Sequence, residues 1–148
     1  MTSTEHFQQL AAYNGWANAR LYAAALDLSE QAYRLHIGVF FGSLHGTLNH
    51  LLLTDRLWLK RVTGEGDHPN QLNAIIYENR ADLTRARIAE DNRLIAVVDG
   101  YDDAALGTLR SYRTRRRCPT LRSYRISSCI CSITKPIIGV KPIAVCPY

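Results

Sequence analysis

The acidic residues stop at Asp103, and that break limits where a folded core can be written. All 13 Asp and Glu lie between Glu5 and Asp103. Residues 1–109 hold nine Lys and Arg and so carry −4, whereas residues 110–148 hold nine more with no acid and carry +9. The five histidines fall at or before His68; the four cysteines, and four of the five prolines, fall at or after Cys118. Acids, histidines, cysteines and most prolines are each confined to one part, so the chain reads as two unlike segments joined near residue 110. At 148 residues there is room for one domain. The expected organisation is a helical bundle over residues 1–112 and a basic, Cys- and Pro-containing, poorly ordered tail over residues 113–148.

No apolar run approaches the length of a membrane-spanning helix. Met1-Thr-Ser-Thr-Glu-His6 lacks the basic and apolar regions of a secretion signal. The expected location is the cytoplasm, where the four cysteines stay thiols.

The first segment is helical. Thr2 and Glu5 fit a capping box. Phe7, Leu10, Ala11, Asn14, Ala17, Leu21, Ala24 and Leu28 follow at helical spacing, with Trp16 and Tyr22 on the flanks, predicting a helix over about residues 4–27. Residues 28–40 read as a connection. A second helix is predicted from about Gly42 to Val62, with Leu44, Leu48, Leu51, Asp55, Trp58 and Val62 as its seam and Asn49, Arg56 and Lys60 on its solvated side. The third is predicted from about Leu72 to Val98, with Ile75, Ile76, Leu83, Ala86, Leu94, Ile95 and Val98 inside, and Arg85, Arg87, Glu90, Asp91 and Arg93 wet. Gly100 is a plausible stop, and Leu106 to Tyr112 a short extended piece. Three long amphipathic helices ask for an antiparallel bundle, and their broad apolar faces call for a fourth partner.

Two polar residues stand out on the second helix. Asp55 sits within the apolar seam, where a carboxylate must be paired, hydrogen-bonded or metal-bound. His50 lies on the flank of that seam, while His45 lies nearer the wet side. Together Asp55 and His50 are candidates for an internal polar site. The plainer alternative pairs Asp55 with a buried donor such as Trp16 and makes His50 a satisfied helix histidine. One His and one Asp do not make a transition-metal site, which needs three or four ligands. No H-E-x-x-H, C-x-x-C, G-x-G-x-x-G or Walker loop occurs.

Tyr13-Asn-Gly-Trp-Ala-Asn-Ala-Arg-Leu-Tyr22 resembles the first-helix signature of the DinB family. Phe40-Phe-Gly-Ser-Leu-His-Gly-Thr-Leu-Asn-His50, with Asp55-Arg-Leu-Trp-Leu59, resembles its second, and Ala86-Arg-Ile-Ala-Glu-Asp91 its third. The resemblance covers roughly residues 5–114. It implies an all-α four-helix bundle, often a homodimer, with a divalent metal (Zn, Ni, Mn or Fe) on three histidines. His50 matches the ligand from helix two. The other two come from a fourth helix reading N-H-Q-T-H-H-R-G-Q, where histidines four apart share a face. Some relatives use the open metal position to activate a low-molecular-weight thiol for transfer to an electrophile, a reaction that works because a metal-bound thiol is deprotonated. Asp55 would at most orient a ligand. The family name refers to DNA damage, and damage-inducible expression is implied.

This chain departs from the pattern where the fourth helix belongs, with no histidine after His68. The genetic code offers a reason. If the third base of each codon is read with the first two of the next, Cys129 onward is compatible with H-L-F-N-H-Q-T-H-H-R-G-Q-A-H. A frame slip near residues 110–125 accounts for both this compatibility and the change in composition. The expected product keeps three helices and an irregular tail. Two of three ligands are gone, metal binding is weak or absent, and the enzyme is inactive as written. Pro119, Pro136, Pro142 and Pro147 oppose a long replacement helix. The β-branched run around Ile126–Ile143 is a candidate for strand pairing or aggregation. The competing reading is a non-catalytic bundle whose basic tail, with Tyr112 and Tyr124 among its arginines, binds nucleic acid or an anionic surface. It is disfavoured because a frame slip yields the same basicity without selection. Cys129 and Cys131, with Cys118 and Cys146 remote, do not have zinc-ribbon spacing.

Overall fold

A computed structural model of the chain describes residues 3–67, 69, 71–113 and 121–134, with residues 110, 112, 113, 121–124 and 134 described by their backbone alone. The expectations for Thr2, Cys118, Pro119 and Arg115 to Arg117, and for everything beyond Thr134, lie outside these residues. The elements in chain order are α1 (Ser3–Leu26), α2 (Glu30–Arg34), α3 (Leu44–Thr63), α4 (Arg80–Asp99), α5 (Asp103–Leu106), β1 (Leu109–Arg113), β2 (Leu121–Arg125) and α6 (Ile126–Thr134).

Helix ends follow their caps. Ser43 accepts the Gly46 N–H at 3.2 Å and starts α3 two residues later than expected. Gly64, at φ 80°, closes it in the left-handed region that glycine adopts without strain. Asn79 Oδ1 accepts the N–H groups of Ala81 and Asp82, so α4 begins at Arg80 and not near Leu72. Residues 71–79 form instead a connection pinned to α3. Gly100 does cap α4. The connection after α1 contains the short α2, capped by Ser29.

The long helices α1, α3 and α4 form the predicted bundle, with α4 packed on both others. Ala11, Ala17 and Ala25 line the buried side of α1, and a Cβ on Gly15 would lie 3.6 Å from Asp91 Cβ. Small residues thus let α1 and α4 approach closely. The buried stripe of α1 is Ala11, Asn14, Ala17, Asn18, Tyr22 and Ala25. That corrects the sequence reading: Tyr22 is core, Leu21 and Ala24 are exposed, and Trp16 is 56% exposed.

The apolar core falls into two clusters. One gathers Ala11, Trp58, Leu59, Val62, Leu94, Val98 and Leu106 under Ile126, Cys129, Ile130 and Ile133 of α6. The other gathers Tyr22, Ala25, Leu48, Leu52 and Leu83 around Tyr33 of α2.

The described part of the tail is less irregular than the sequence suggests. β1 and β2 pair antiparallel as a two-stranded sheet, and α6 packs on α3 and α1. Residues 126–134 are therefore helical, not strand, because Ile126, Cys129, Ile130 and Ile133 share one helical face and bury it. α6 takes the fourth position of the bundle but fills little of it. Nine residues span about 13 Å, against about 36 Å for the 24 residues of α1. Among the described residues no helix is long and apolar enough to cross a membrane.

Ile130 is completely buried beneath the bundle. Ile130→Ala should cost about 2–4 kcal/mol in urea unfolding. A loss within about 0.5 kcal/mol, the size of a surface change, would show that α6 does not close the core.

Candidate functional site

Between the two apolar clusters lies a polar layer built from all three long helices. Arg87 of α4, 1% exposed, extends Nη1 to Asp55 Oδ2 of α3 at 2.7 Å and Nη2 to Asp91 Oδ1 of its own helix at 2.7 Å. Asn18 and Asn14 of α1 donate to the same Asp91 oxygen at 2.8 and 3.3 Å. Tyr22 roofs the layer and donates to the Leu48 carbonyl at 2.8 Å. Glu90, one residue before Asp91, turns outward to Arg93 and Arg56.

Electrostatics follow from two buried carboxylates meeting one guanidinium. Burial alone would lower the Arg87 pKa, but Asp55 and Asp91 hold it above its ordinary value. Burial pushes Asp55 up to about 7 in spite of Arg87. Burial raises Asp91 too, against Arg87 and Asn18. Tyr22 is likewise raised by burial. With both carboxylates ionised the clamp would hold one negative charge in excess, and burial holds both pKa values up against that charge.

His50 is set apart from this clamp. Its Nδ1 lies 2.6 Å from the Leu72 carbonyl, and its ring stacks on Phe41 at 3.7 Å. A carbonyl only accepts, so Nδ1 carries the proton and the Nε2 lone pair is left for a cation. Histidine ligands are held in this way by a backbone carbonyl on the far ring nitrogen. Burial keeps the His50 pKa low, against the Leu72 hydrogen bond, and so favours the neutral ring that a metal needs.

Two residues build that cradle. Asn49 Oδ1 accepts the N–H groups of Ile76 and Tyr77 at 3.0 and 2.9 Å, while its Nδ2 donates to the His45 and Tyr77 carbonyls. This holds the connection carrying Leu72 against α3. On the other side, Gly46 admits the chain at Phe41: a Cβ there would meet the Phe41 carbonyl oxygen at 2.2 Å.

Several polar assignments from the sequence are overturned. Asn49, expected on the solvated side, is fully buried because it satisfies a second chain segment. His45, expected nearer the wet side, is buried with Nδ1 3.1 Å from the Tyr33 hydroxyl and Nε2 3.6 Å from Glu78. Arg87, Glu90 and Asp91 are buried, whereas Arg85 is exposed. Asp55 does pair with a buried donor, but that donor is Arg87, not the exposed Trp16. Asp55 therefore does not orient His50; the Leu72 carbonyl does.

The pattern of three long helices, a polar layer at mid-height and a carbonyl-oriented histidine on the second helix can be set against known families. The model of the DinB family matches residues 1–102. The chain belongs to the DinB family. Neither the curated proteins nor the solved structures compared give a match. The DinB match takes in α1 to α4 and ends before β1, so the hairpin and α6 fall outside it. Among the described residues no group of three His, Cys, Asp or Glu side chains converges. Among the described residues, then, the donors around His50 do not fit a complete metal site.

Arg87→Met leaves two buried carboxylates without their cation, and should destabilise the fold by about 3–5 kcal/mol in urea unfolding. The pH dependence has a definite sign. A carboxyl raised on folding binds its proton more tightly in the folded state, so its contribution is complete below 3.8 and lost as pH rises through about 7. His45 and His50, lowered by burial, act oppositely: their contribution is complete above 6.5 and lost at acid pH. Asp55→Asn separates the two. The stability of wild type relative to this variant should decline steadily from pH 5 to pH 8; a flat difference would contradict the raised Asp55.

Proposed function

We propose that this chain is the metal-deficient form of a DinB-family metal enzyme, with His50 as the surviving one of three histidine ligands. The observation that supports this is the preset His50 ring, its Nδ1 proton committed to Leu72 and its Nε2 without a partner among the described residues. In the parent, a divalent metal (Zn, Ni, Mn or Fe) on His50 and two fourth-helix histidines would deprotonate a low-molecular-weight thiol for transfer to an electrophile. The residues present in this chain hold one imidazole neutral and oriented, which is one part of what such a site requires. Among the described residues nothing else around it supplies ligands, so no catalytic step is assigned. On this reading the protein is cytoplasmic.

The frame slip belongs to the same proposal. The family match stops at residue 102, the acids stop at Asp103, and the histidines stop at His68. All three endings are what an out-of-frame fourth helix produces.

Metal competition against a chromophoric chelator tests the reading. The chain should bind zinc or nickel weakly. A variant carrying H-L-F-N-H-Q-T-H-H-R-G-Q-A-H over residues 129–142 should bind one metal per chain at least about 100-fold more tightly, since even outer partners of ligands are worth about 10–100-fold. His50→Ala in that variant should abolish the gain. Equal affinity in the two chains, or a gain indifferent to His50, would contradict the proposal.

A second reading draws on the hairpin, which places Arg110, Arg113, Arg122 and Arg125 on paired strands. If the basic segment is a polyanion-binding arm, random DNA should bind in a strongly salt-dependent way.

A further inference from the structure

The two strands of the hairpin have the same sequence. Thr-Leu-Arg-Ser-Tyr-Arg occupies residues 108–113 and again residues 120–125. The ladder sets Leu109 opposite Arg125, Arg110 opposite Tyr124, Ser111 opposite Ser123, Tyr112 opposite Arg122 and Arg113 opposite Leu121. Repeat and register together give the ribbon a local two-fold axis at its central serines. Each strand meets its own sequence, reversed.

The same register solves a charge problem. The paired strands hold four arginines and no acid, yet no arginine stands opposite another. Each is opposite a tyrosine or a leucine. Like charges directly opposite destabilise a strand pair, whereas an arginine beside an aromatic ring is favourable. A strand that complements its own sequence within one chain complements the same strand of another chain by the same set of pairs.

We infer that the ribbon is a self-recognition surface whose partner is a second copy of this chain. A strand of one copy lies antiparallel to the same strand of the other, with the central serines on the two-fold axis. For β1 this puts residue 109 opposite 113, 110 opposite 112 and 111 opposite 111 of the partner. Across the resulting four-stranded sheet, arginine alternates with tyrosine on one face and with leucine on the other. Each hairpin strand has one edge within its own ladder and one outside it, and a sheet of two short strands gains stability by adding more. Leu109, 61% exposed, and the exposed Ser111 and Arg125 are open to solvent, while β1 also lies against α3 and β2 against α6. The contact is isologous, as a two-fold dimer requires. Accumulating arginine charge opposes growth beyond two copies.

This surface lies outside residues 1–102, the part matched to the family. It does not depend on the metal reading and stands whichever way the metal titration falls.

Single cysteines test the axis. Under mild oxidation, Ser111→Cys or Ser123→Cys should give a covalent dimer joined through the introduced residue. Peptide mass mapping would identify the link, because the chain also holds Cys118, Cys129, Cys131 and Cys146. Arg110→Cys should not, since the two copies of residue 110 would be about 8 Å apart, too far for a disulfide. In wild type, light scattering should show a dimer that grows with concentration and with salt, which screens the approaching arginines. Ser111→Pro with Ser123→Pro should abolish it while the helical circular dichroism stays unchanged. A monomer at every concentration would overturn the inference. So would cross-linking of Arg110→Cys as efficient as that of the serine positions, or a dimer that survives the double proline variant.

Discussion

Arg87, caught between Asp55 and Asp91, is the contact on which the bundle's geometry depends. Here all three long helices are bound by directional interactions, because Asp91 also accepts from Asn14 and Asn18 of α1. The apolar clusters above and below it contribute more burial but tolerate sliding. A buried guanidinium does not: displaced by an ångström it leaves a carboxylate unpaired in a low-dielectric interior. The layer therefore sets the register of α3 against α4 and of both against α1. Once α3 is fixed, Asn49 fixes the connection before α4, and that connection presents the Leu72 carbonyl to His50. The candidate ligand is oriented at the end of a chain of contacts that begins in the clamp.

The sequence showed the number and order of the long helices because their apolar stripes are periodic. It also singled out Asp55 and His50 as the polar residues to explain. It misplaced the wet face of α4 for a physical reason. Spacing identifies which residues share a face, but it does not tell a solvated charge from a buried one whose partner sits on another helix. Leu83, Arg87, Asp91, Leu94 and Val98 form one buried stripe at intervals of four and three, interrupted by charge at its middle. The stripes of α1 and α3 are interrupted at the same depth, by Asn14 and Asn18 and by Asp55. Matching interruptions were the available signal, and it requires reading the three helices together. The Leu72 carbonyl and the partners of Asn49 left no such trace, since they are backbone groups that every residue carries.

The tail divides the molecule functionally. Residues up to Gly100 build three long helices, and α6 packs beside α3 and α1 in the fourth position. In that position α6 supplies only nine helical residues. Ile126, Cys129, Ile130 and Ile133 are apolar enough to close one end of the core, so the bundle keeps a packed lower half. After His68 the chain holds no histidine. Packing needs only apolar side chains of about the right size, whereas a metal site needs particular donors in particular places. On the proposed frame slip the first would be kept and the second lost, which would leave a folded, ligand-poor protein.

The nucleotide sequence of the gene over codons 105–148 tests this account most directly. The account predicts that the shifted frame, from codon 129 onward, spells the histidine-rich helix. Codons that cannot spell those histidines in any frame would contradict it, and the basic ribbon would then be an intended part of the protein.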